Sequence, residues 1–148
     1  MSTTSLNLLL ADDDTDDCFF FKEALEELPI SAKLTTVNDG MQLMQQLSVK
    51  ETLLPDALFL DLNMPRKSGF ECLSEIKTID TLMHLPVIIY STSLNMEVVD
   101  LLYQKGAHYY ICKAGKFDKL KKVILEAVTL ISQKNLAQPS RDKFILQP

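Results

Sequence analysis

Short apolar runs of strand length recur along the chain and alternate with segments that have helical spacing. The runs are LNLLLA (6–11), KLTTV (33–37), ALFL (57–60), VIIY (87–90) and YYIC (109–112). Between them, apolar residues return at helical intervals, as at Cys18, Phe21 and Leu25 and again at Leu120 and Ile124, which predicts helices with one buried face. Strand and helix alternate along the chain, and that order predicts a parallel sheet covered by helices on both faces.

Local signals mark where the helices between the strands begin and end. Asp39 with Gln42 and Ser68 with Glu71 form capping-box pairs, and Gly106 is a helix stop. The run KLTTV is the most polar of the strands and is therefore expected at an edge of the sheet. Together these signals predict an α/β fold of the doubly wound, flavodoxin-like type, with five helices and five parallel strands in the order 2-1-3-4-5.

The length of 148 residues fits one ordinary domain. We expect an N-terminal extension over 1–5, the folded domain over 6–133 and a flexible tail over 134–148, because the tail is polar, contains two prolines and shows no periodicity. No apolar stretch is long enough to span a bilayer, and no basic segment leads into an apolar signal sequence at the start. The protein is therefore expected in the cytoplasm, without membrane contact.

Charge and cysteine content narrow the classes of function. Residues 1–102 carry 6 basic and 17 acidic side chains and residues 103–148 carry 9 and 3, so net charges of −11 and +6 sum to the −5 of the whole chain. The basic excess near the last predicted helix fits a solvated face or a docking surface for an acidic partner, and no nucleic-acid recognition motif accompanies it. Cys18, Cys72 and Cys112 each stand among apolar residues, which favours reduced thiols over disulfides or a zinc site.

Polar side chains gather where the predicted strands end. Strand 1 runs into Asp12–Asp14, strand 3 into Asp61, strand 4 into Ser91–Ser93 and strand 5 into Lys113. In a doubly wound sheet the ligand site lies beyond the carboxyl ends of the strands, at the point where strand order reverses, which here is between strands 1 and 3. We therefore expect these side chains to form one site.

The residue types in this site favour metal-assisted phosphoryl chemistry. Carboxylates that lie close together repel one another unless they share a cation, and ligation by oxygen atoms alone suits Mg²⁺. A carboxylate beside Mg²⁺ can act as a nucleophile toward phosphorus, while Ser91 can donate a hydrogen bond to one phosphoryl oxygen and Lys113 can pair with another. Asp61 is thus the candidate phosphoacceptor. Residues Asp14–Asp17 are interpreted as the cap and first turn of helix 1.

Four motifs resemble, in order and spacing, the receiver domain of two-component response regulators. They are ADDD (11–14), LDLNMPRKSG (60–69), PVIIYST (86–92) and YYICK (109–113), and the resemblance covers residues 6 to about 132. It implies that Asp61 is phosphorylated. It also implies that Mg²⁺ is held by Asp12, Asp13, Asp61 and the backbone carbonyl of Asn63. The residues that would bind the phosphoryl group and switch in response to it are Ser91, Thr92, Lys113 and Tyr110.

The resemblance implies a signalling protein rather than an enzyme with a separate substrate. A histidine kinase or histidine phosphotransfer protein would supply the phosphoryl group, directly or within a phosphorelay, and the chain would promote its own Mg²⁺-dependent phosphorylation and dephosphorylation. We expect no attached output domain, so that the signal passes through contact with a partner protein. We also expect a monomer or a weak homodimer that pairs through helix 4, strand 5 and helix 5.

Two other functions stay open at this point. One is a pseudo-receiver that uses the fold only for binding, which is suggested by Ala114, since receivers commonly have a proline preceded by a cis peptide at that position. The other is a phosphohydrolase with an aspartate nucleophile. Its usual pattern has a Thr or Val two positions after the second aspartate, whereas here Asp12 and Asp14 are followed by Asp16.

Overall fold

Strands and helices alternate along the computed structural model, which describes residues 5–49, 54–113, 115–133 and 137–148. The strands and helices are β1 (Leu6–Ala11), α1 (Thr15–Glu26), β2 (Ala32–Val37), α2 (Gly40–Ser48), β3 (Ala57–Leu60), α3 (Gly69–Thr78), β4 (Val87–Ser91), α4 (Met96–Gln104), β5 (Tyr109–Cys112), α5 (Phe117–Ser132), a short 3-10 helix (Arg141–Lys143) and β6 (Ile145–Leu146). The strands form one sheet in the order β2-β1-β3-β4-β5-β6, and every pair is parallel. The predicted flavodoxin-like architecture is confirmed.

Alternate residues of the strands feed two separate apolar cores. Leu8 and Leu10 of β1 pack with α1 and α5, whereas Leu9 and Ala11 of the same strand pack with the side of the sheet that α2, α3 and α4 cover. On the first side the ring of Phe21 meets Phe59 edge-on, with 4.9 Å between ring centroids. Because side chains of a strand point alternately to the two faces, the central strands are buried on both sides and their ends are held in fixed register.

The predicted helix boundaries agree with the caps in the structure. Asp14 caps α1, Asp39 caps α2, and Ser68 with Glu71 forms a complete capping box on α3. Gly106 follows α4 with a φ angle of 97°, a conformation that glycine adopts without steric cost. These caps fix where each helix begins, and therefore fix the loops that connect the helices to the strand ends.

The C-terminal segment adds a sixth strand, β6, to the sheet. For residues 137–148, the predictions of five strands and of a flexible tail are therefore wrong. Strand β6 pairs with β5, and the Tyr110 N–H donates a hydrogen bond of 3.0 Å to the Phe144 carbonyl. Phe144 is fully buried, and its ring packs edge-on against Tyr103 at 5.2 Å between ring centroids. An apolar run as short as Phe144–Leu146 carries no readable periodicity, so only tertiary packing reveals this strand.

Polar contacts also tie the C-terminal segment to α4. The Tyr103 hydroxyl donates a hydrogen bond to the Pro139 carbonyl at 2.7 Å, and the Gln138 side-chain amide donates to the Ala107 carbonyl at 2.8 Å. Arg141 forms an ion pair of 2.6 Å with Asp100. The last residues therefore cover the edge of β5 beside α4 and extend the sheet on that side.

The structure also bears on the cysteines and on membrane contact. Cys18, Cys72 and Cys112 are free thiols. Within the described ranges, no helix is both long enough and apolar enough to cross a bilayer.

The Phe144→Ala variant tests whether the C-terminal strand stabilises the domain. Because the ring fills space between Tyr103 and Tyr110, its removal should lower the free energy of unfolding by about 3 to 5 kcal/mol. Urea unfolding of this variant beside Lys143→Ala, which changes the exposed neighbouring residue, measures the effect. Equal stability of the two variants would show that the segment does not pack on the sheet.

Candidate functional site

Three carboxylates meet at the carboxyl ends of the neighbouring strands β1 and β3. The Asp61 N–H donates to the Ala11 carbonyl at 2.9 Å, which aligns the two strand ends. As a result, carboxylate oxygens of Asp12, Asp13 and Asp61 lie within 4.8 Å of one another. The structure thus brings together the acidic residues that the sheet order predicted to be neighbours.

Two of these carboxylates are buried, and burial changes how readily they ionise. Asp12 is 0% exposed and Asp61 is 6% exposed, whereas Asp13 is exposed. Burial raises the pKa of Asp12. Burial and the nearby charge of Asp12 raise the pKa of Asp61 to about 6, against the opposing effect of Lys113 and of the Leu62 and Asn63 N–H groups, which donate to its carboxylate. The site therefore holds more negative charge than it stabilises by itself.

Lys113 contributes positive charge to the site, and its nearest partners are Asp12 and Asp17 rather than Asp61. Its Nζ atom lies 2.8 Å from Asp12 Oδ2, 2.8 Å from Asp17 Oδ2 and 3.9 Å from Asp61 Oδ2. It also lies 5.1 Å from the centroid of the Tyr90 ring. Burial alone would lower the pKa of Lys113, but the contacts with Asp12 and Asp17 outweigh burial and raise it. The ammonium group therefore stays charged and is shared mainly between β1 and α1.

Asp17 is the site residue that the sequence interpretation missed. The sequence interpretation places Asp17 in the first turn of α1, and there its N–H does donate a hydrogen bond to the Asp14 carboxylate at 3.1 Å. Its side chain, however, receives a hydrogen bond from Lys113, 96 positions along the chain. No local pattern signals such a contact, since it depends on how α1 sits against the end of β5.

The predicted switch residues lie at the ends of β4 and β5. Ser91 is fully buried, and its Oγ accepts a hydrogen bond from the Ser93 N–H at 3.3 Å. Thr92 is exposed, and its carbonyl accepts from the Cys112 thiol at 3.7 Å. The ring of Tyr110 is buried, and its hydroxyl donates to the Ser93 carbonyl. Tyr110 thus bridges β5 to the loop that follows β4.

The loop after β3 holds Asn63 close to Asp61. The Gly69 N–H donates to the Leu62 carbonyl at 2.9 Å, which closes the loop. A Cβ atom at Gly69 would lie only 2.2 Å from the Asp61 carbonyl oxygen, so this position requires glycine for close approach of the backbone. Asn63 is exposed two residues beyond Asp61. Ala114, the position where receivers commonly have proline, lies outside the described residues, and so does the geometry of the Lys113–Ala114 bond.

The arrangement fits a divalent cation with oxygen ligands. Asp12 Oδ2 is buried, and the cationic group beside it among the described residues, the Lys113 ammonium 2.8 Å away, is shared with Asp17. Two buried carboxylates and a third, exposed one repel one another at this separation, and a bound cation would relieve that repulsion. Carboxylate ligands with access to water are typical of Mg²⁺ sites.

Comparison with known proteins gives the same family that the motifs resemble. The family model of the response regulator receiver domain matches residues 8–125. Response regulator Rcp1 of Synechocystis sp. is 32% identical over 134 residues, which cover 83% of this chain and 91% of that protein.

Solved structures extend this similarity to the fold. The phosphorylated cyanobacterial phytochrome response regulator RcpA superposes with a TM-score of 0.80 at 30% identity, over 88% of this chain and 96% of that one. The Mn²⁺-bound form of response regulator Rcp1 superposes with a TM-score of 0.75 at 27% identity, over 91% and 99% of the two chains. These matches do not favour a phosphohydrolase or a pseudo-receiver.

The Asp61→Asn variant tests the electrostatic cost of the site in the absence of metal. Folding raises the pKa of Asp61 from 3.8 to about 6. The folded protein therefore loses stability as the pH rises from about 3.8 through about 6, where the folded state must ionise this carboxylate. In EDTA at pH 7.5, the variant should therefore be more stable than the parent by about 2 to 3 kcal/mol, and at pH 4.5 by clearly less.

Urea unfolding at the two pH values measures this difference. Asp80→Asn, at an exposed acid outside the cluster, is the matched control and should show little change. An Asp61→Asn variant that is less stable than the parent at pH 7.5 would contradict the account of the buried carboxylates.

Proposed function

This chain belongs to the receiver-domain family of response regulators, and on that basis we propose that Asp61 is its phosphoacceptor. The observation that carries the proposal is the position of Asp61. Its carboxylate is nearly buried at the end of β3, between the acidic pair Asp12 and Asp13 and the Lys113 ammonium group. A carboxylate in that setting is costly for the fold, and phosphoryl transfer gives it a function.

The proposed metal ligands are Asp12, Asp13, Asp61 and the backbone carbonyl of Asn63. Bound there, Mg²⁺ would neutralise charge on the incoming phosphoryl group. The short separation of the three carboxylates and the burial of Asp12 and Asp61 support this assignment. The Mn²⁺-bound form of Rcp1 is a divalent-cation complex of a similar protein.

The chain's own residues would orient and stabilise the reacting groups. A bond forms between an Asp61 carboxylate oxygen and phosphorus, while the bond from phosphorus to the donor's imidazole nitrogen breaks and its electron pair stays on that nitrogen. Lys113 then pairs with one phosphoryl oxygen and Ser91 donates a hydrogen bond to another. Attack of water on phosphorus would then break the bond to the Asp61 oxygen and release inorganic phosphate, and we propose that the same residues promote this dephosphorylation.

The proposed donor is a histidine kinase or a histidine phosphotransfer protein. RcpA is described as a phytochrome response regulator, which makes a phytochrome-linked kinase one candidate for this chain. We place the exchange in the cytoplasm, since free thiols such as Cys18 and Cys112 persist in a reducing compartment.

The signal would leave the site through Ser91 and Tyr110. Movement of the Ser91 hydroxyl toward a phosphoryl group changes the loop that Tyr110 contacts through Ser93. The Tyr110 ring packs against Phe144 of the C-terminal segment. A change in the position of Tyr110 would therefore shift residues on the face formed by α4, β5 and β6. A protein partner would bind to that face. Because β6 already pairs with β5, the predicted homodimer would have to use α4 and α5 beside it.

Intact-protein mass after incubation with Mg²⁺ and a small acyl-phosphate donor tests the proposal. One added phosphoryl group per chain is expected in the parent and none in Asp61→Asn, because the amide cannot act as the nucleophile. EDTA should abolish the addition in the parent. Asp80→Asn should be labelled like the parent, and equal labelling of Asp61→Asn would contradict the assignment of Asp61.

A further inference from the structure

Asp17 competes with Asp61 for the ammonium group of Lys113. The Lys113 Nζ atom is 2.8 Å from Asp17 Oδ2 but 3.9 Å from Asp61 Oδ2. The Lys113 side chain is only 10% exposed, so solvent does little to replace a lost partner. In this state the ammonium group is drawn toward α1 and away from the proposed phosphoacceptor.

Among the described residues, Lys113 is the hydrogen-bond and ion-pair partner that the structure shows for the Asp17 carboxylate. The cap of α1 is Asp14, whose side chain accepts hydrogen bonds from the N–H groups of both Asp16 and Asp17. An acidic residue in the first turn of a helix is favourable in general, but that benefit is shared equally by the neighbouring Asp16. Only Asp17 reaches Lys113 among the acids of this turn.

Phosphorylation of Asp61 would change this competition. A phosphoryl group carries more charge than a carboxylate and places its oxygens farther from β3, so it would draw Lys113 toward itself. That movement requires the contact with Asp17 to lengthen or break. The contact therefore stabilises the unphosphorylated state relative to the phosphorylated one.

We propose that Asp17 is a positioning residue that restrains Lys113 in the unphosphorylated state and thereby weakens the binding of a phosphoryl group at Asp61. The inference rests on the proposed function. Asp17 is not one of the proposed metal ligands, yet through this contact it would influence how readily Asp61 becomes phosphorylated. Asp17 acts only through Lys113 and does not touch the reacting atoms.

Two measurements on Asp17→Asn test the proposal, with Asp16→Asn as the matched control that removes the same charge from the same helical turn. The first is the NMR signal of the Lys113 ammonium group in the metal-free protein. The second is the affinity of the Mg²⁺-loaded protein for beryllofluoride, a mimic of the phosphoryl group. Since Asp17 is 34% exposed, its removal should tighten beryllofluoride binding by about five-fold relative to Asp16→Asn.

A second pair of variants shows whether the effect passes through Lys113. In a Lys113→Gln background, adding Asp17→Asn should no longer change the affinity for beryllofluoride, because the residue that Asp17 restrains is absent. An effect of the same size in that background would overturn the positioning role and leave only a general effect of charge.

The outcomes separate this inference from the proposed function. The inference predicts a shifted Lys113 signal and tighter beryllofluoride binding in Asp17→Asn alone. If the parent binds beryllofluoride but the Asp17→Asn and Asp16→Asn variants bind it equally, the role of Asp17 is overturned while the proposed function stands. If the Lys113 signal is the same in both variants, the contact itself is refuted. If the parent does not bind beryllofluoride at all, the proposed function fails.

Discussion

The organisation of this molecule depends on an excess of buried negative charge at one end of a parallel sheet. Asp12 and Asp61 are held there by strands that are apolar on both faces, and the ammonium group of Lys113 lies beside them. Burial disfavours ionised carboxylates, so these charges lower the stability of the fold unless further positive charge or a proton is supplied. A divalent cation bound by these carboxylates would supply positive charge at this position, which fits the clustering of the acids with Lys113.

The same sheet connects the acidic end to a distant surface. Ser91 and Tyr110 occupy adjacent strands, and the hydroxyl of Tyr110 reaches the loop after β4 while its ring contacts Phe144. The added strand β6 therefore brings the C-terminal segment into contact with Tyr110, one of the proposed switch residues. Packed interiors respond to small shifts by changing between discrete arrangements. A shift of the Ser91 side chain can therefore be passed through Tyr110 and Phe144 to the face beside α4.

Much of the fold and the site could be predicted from the sequence because the relevant signals are local or depend only on strand order. Apolar runs and caps such as Ser68 with Glu71 place the elements, and parallel order then forces Asp12 and Asp61 together. Two features could not be predicted in this way. Strand β6 has only two residues, too few to show a period, and the contact of Asp17 with Lys113 depends on the angle of α1 against the sheet.

The most direct test of the account is to locate the phosphoryl group chemically. Borohydride reduces an acyl phosphate to an alcohol, so treatment of the phosphorylated protein followed by peptide mass spectrometry marks the residue that carried it. The account predicts that the reduced side chain is that of Asp61 and that no mark appears without Mg²⁺. A mark on Asp12, Asp13 or Asp17, or equal marking in EDTA, would contradict the account of Asp61 as a metal-assisted phosphoacceptor.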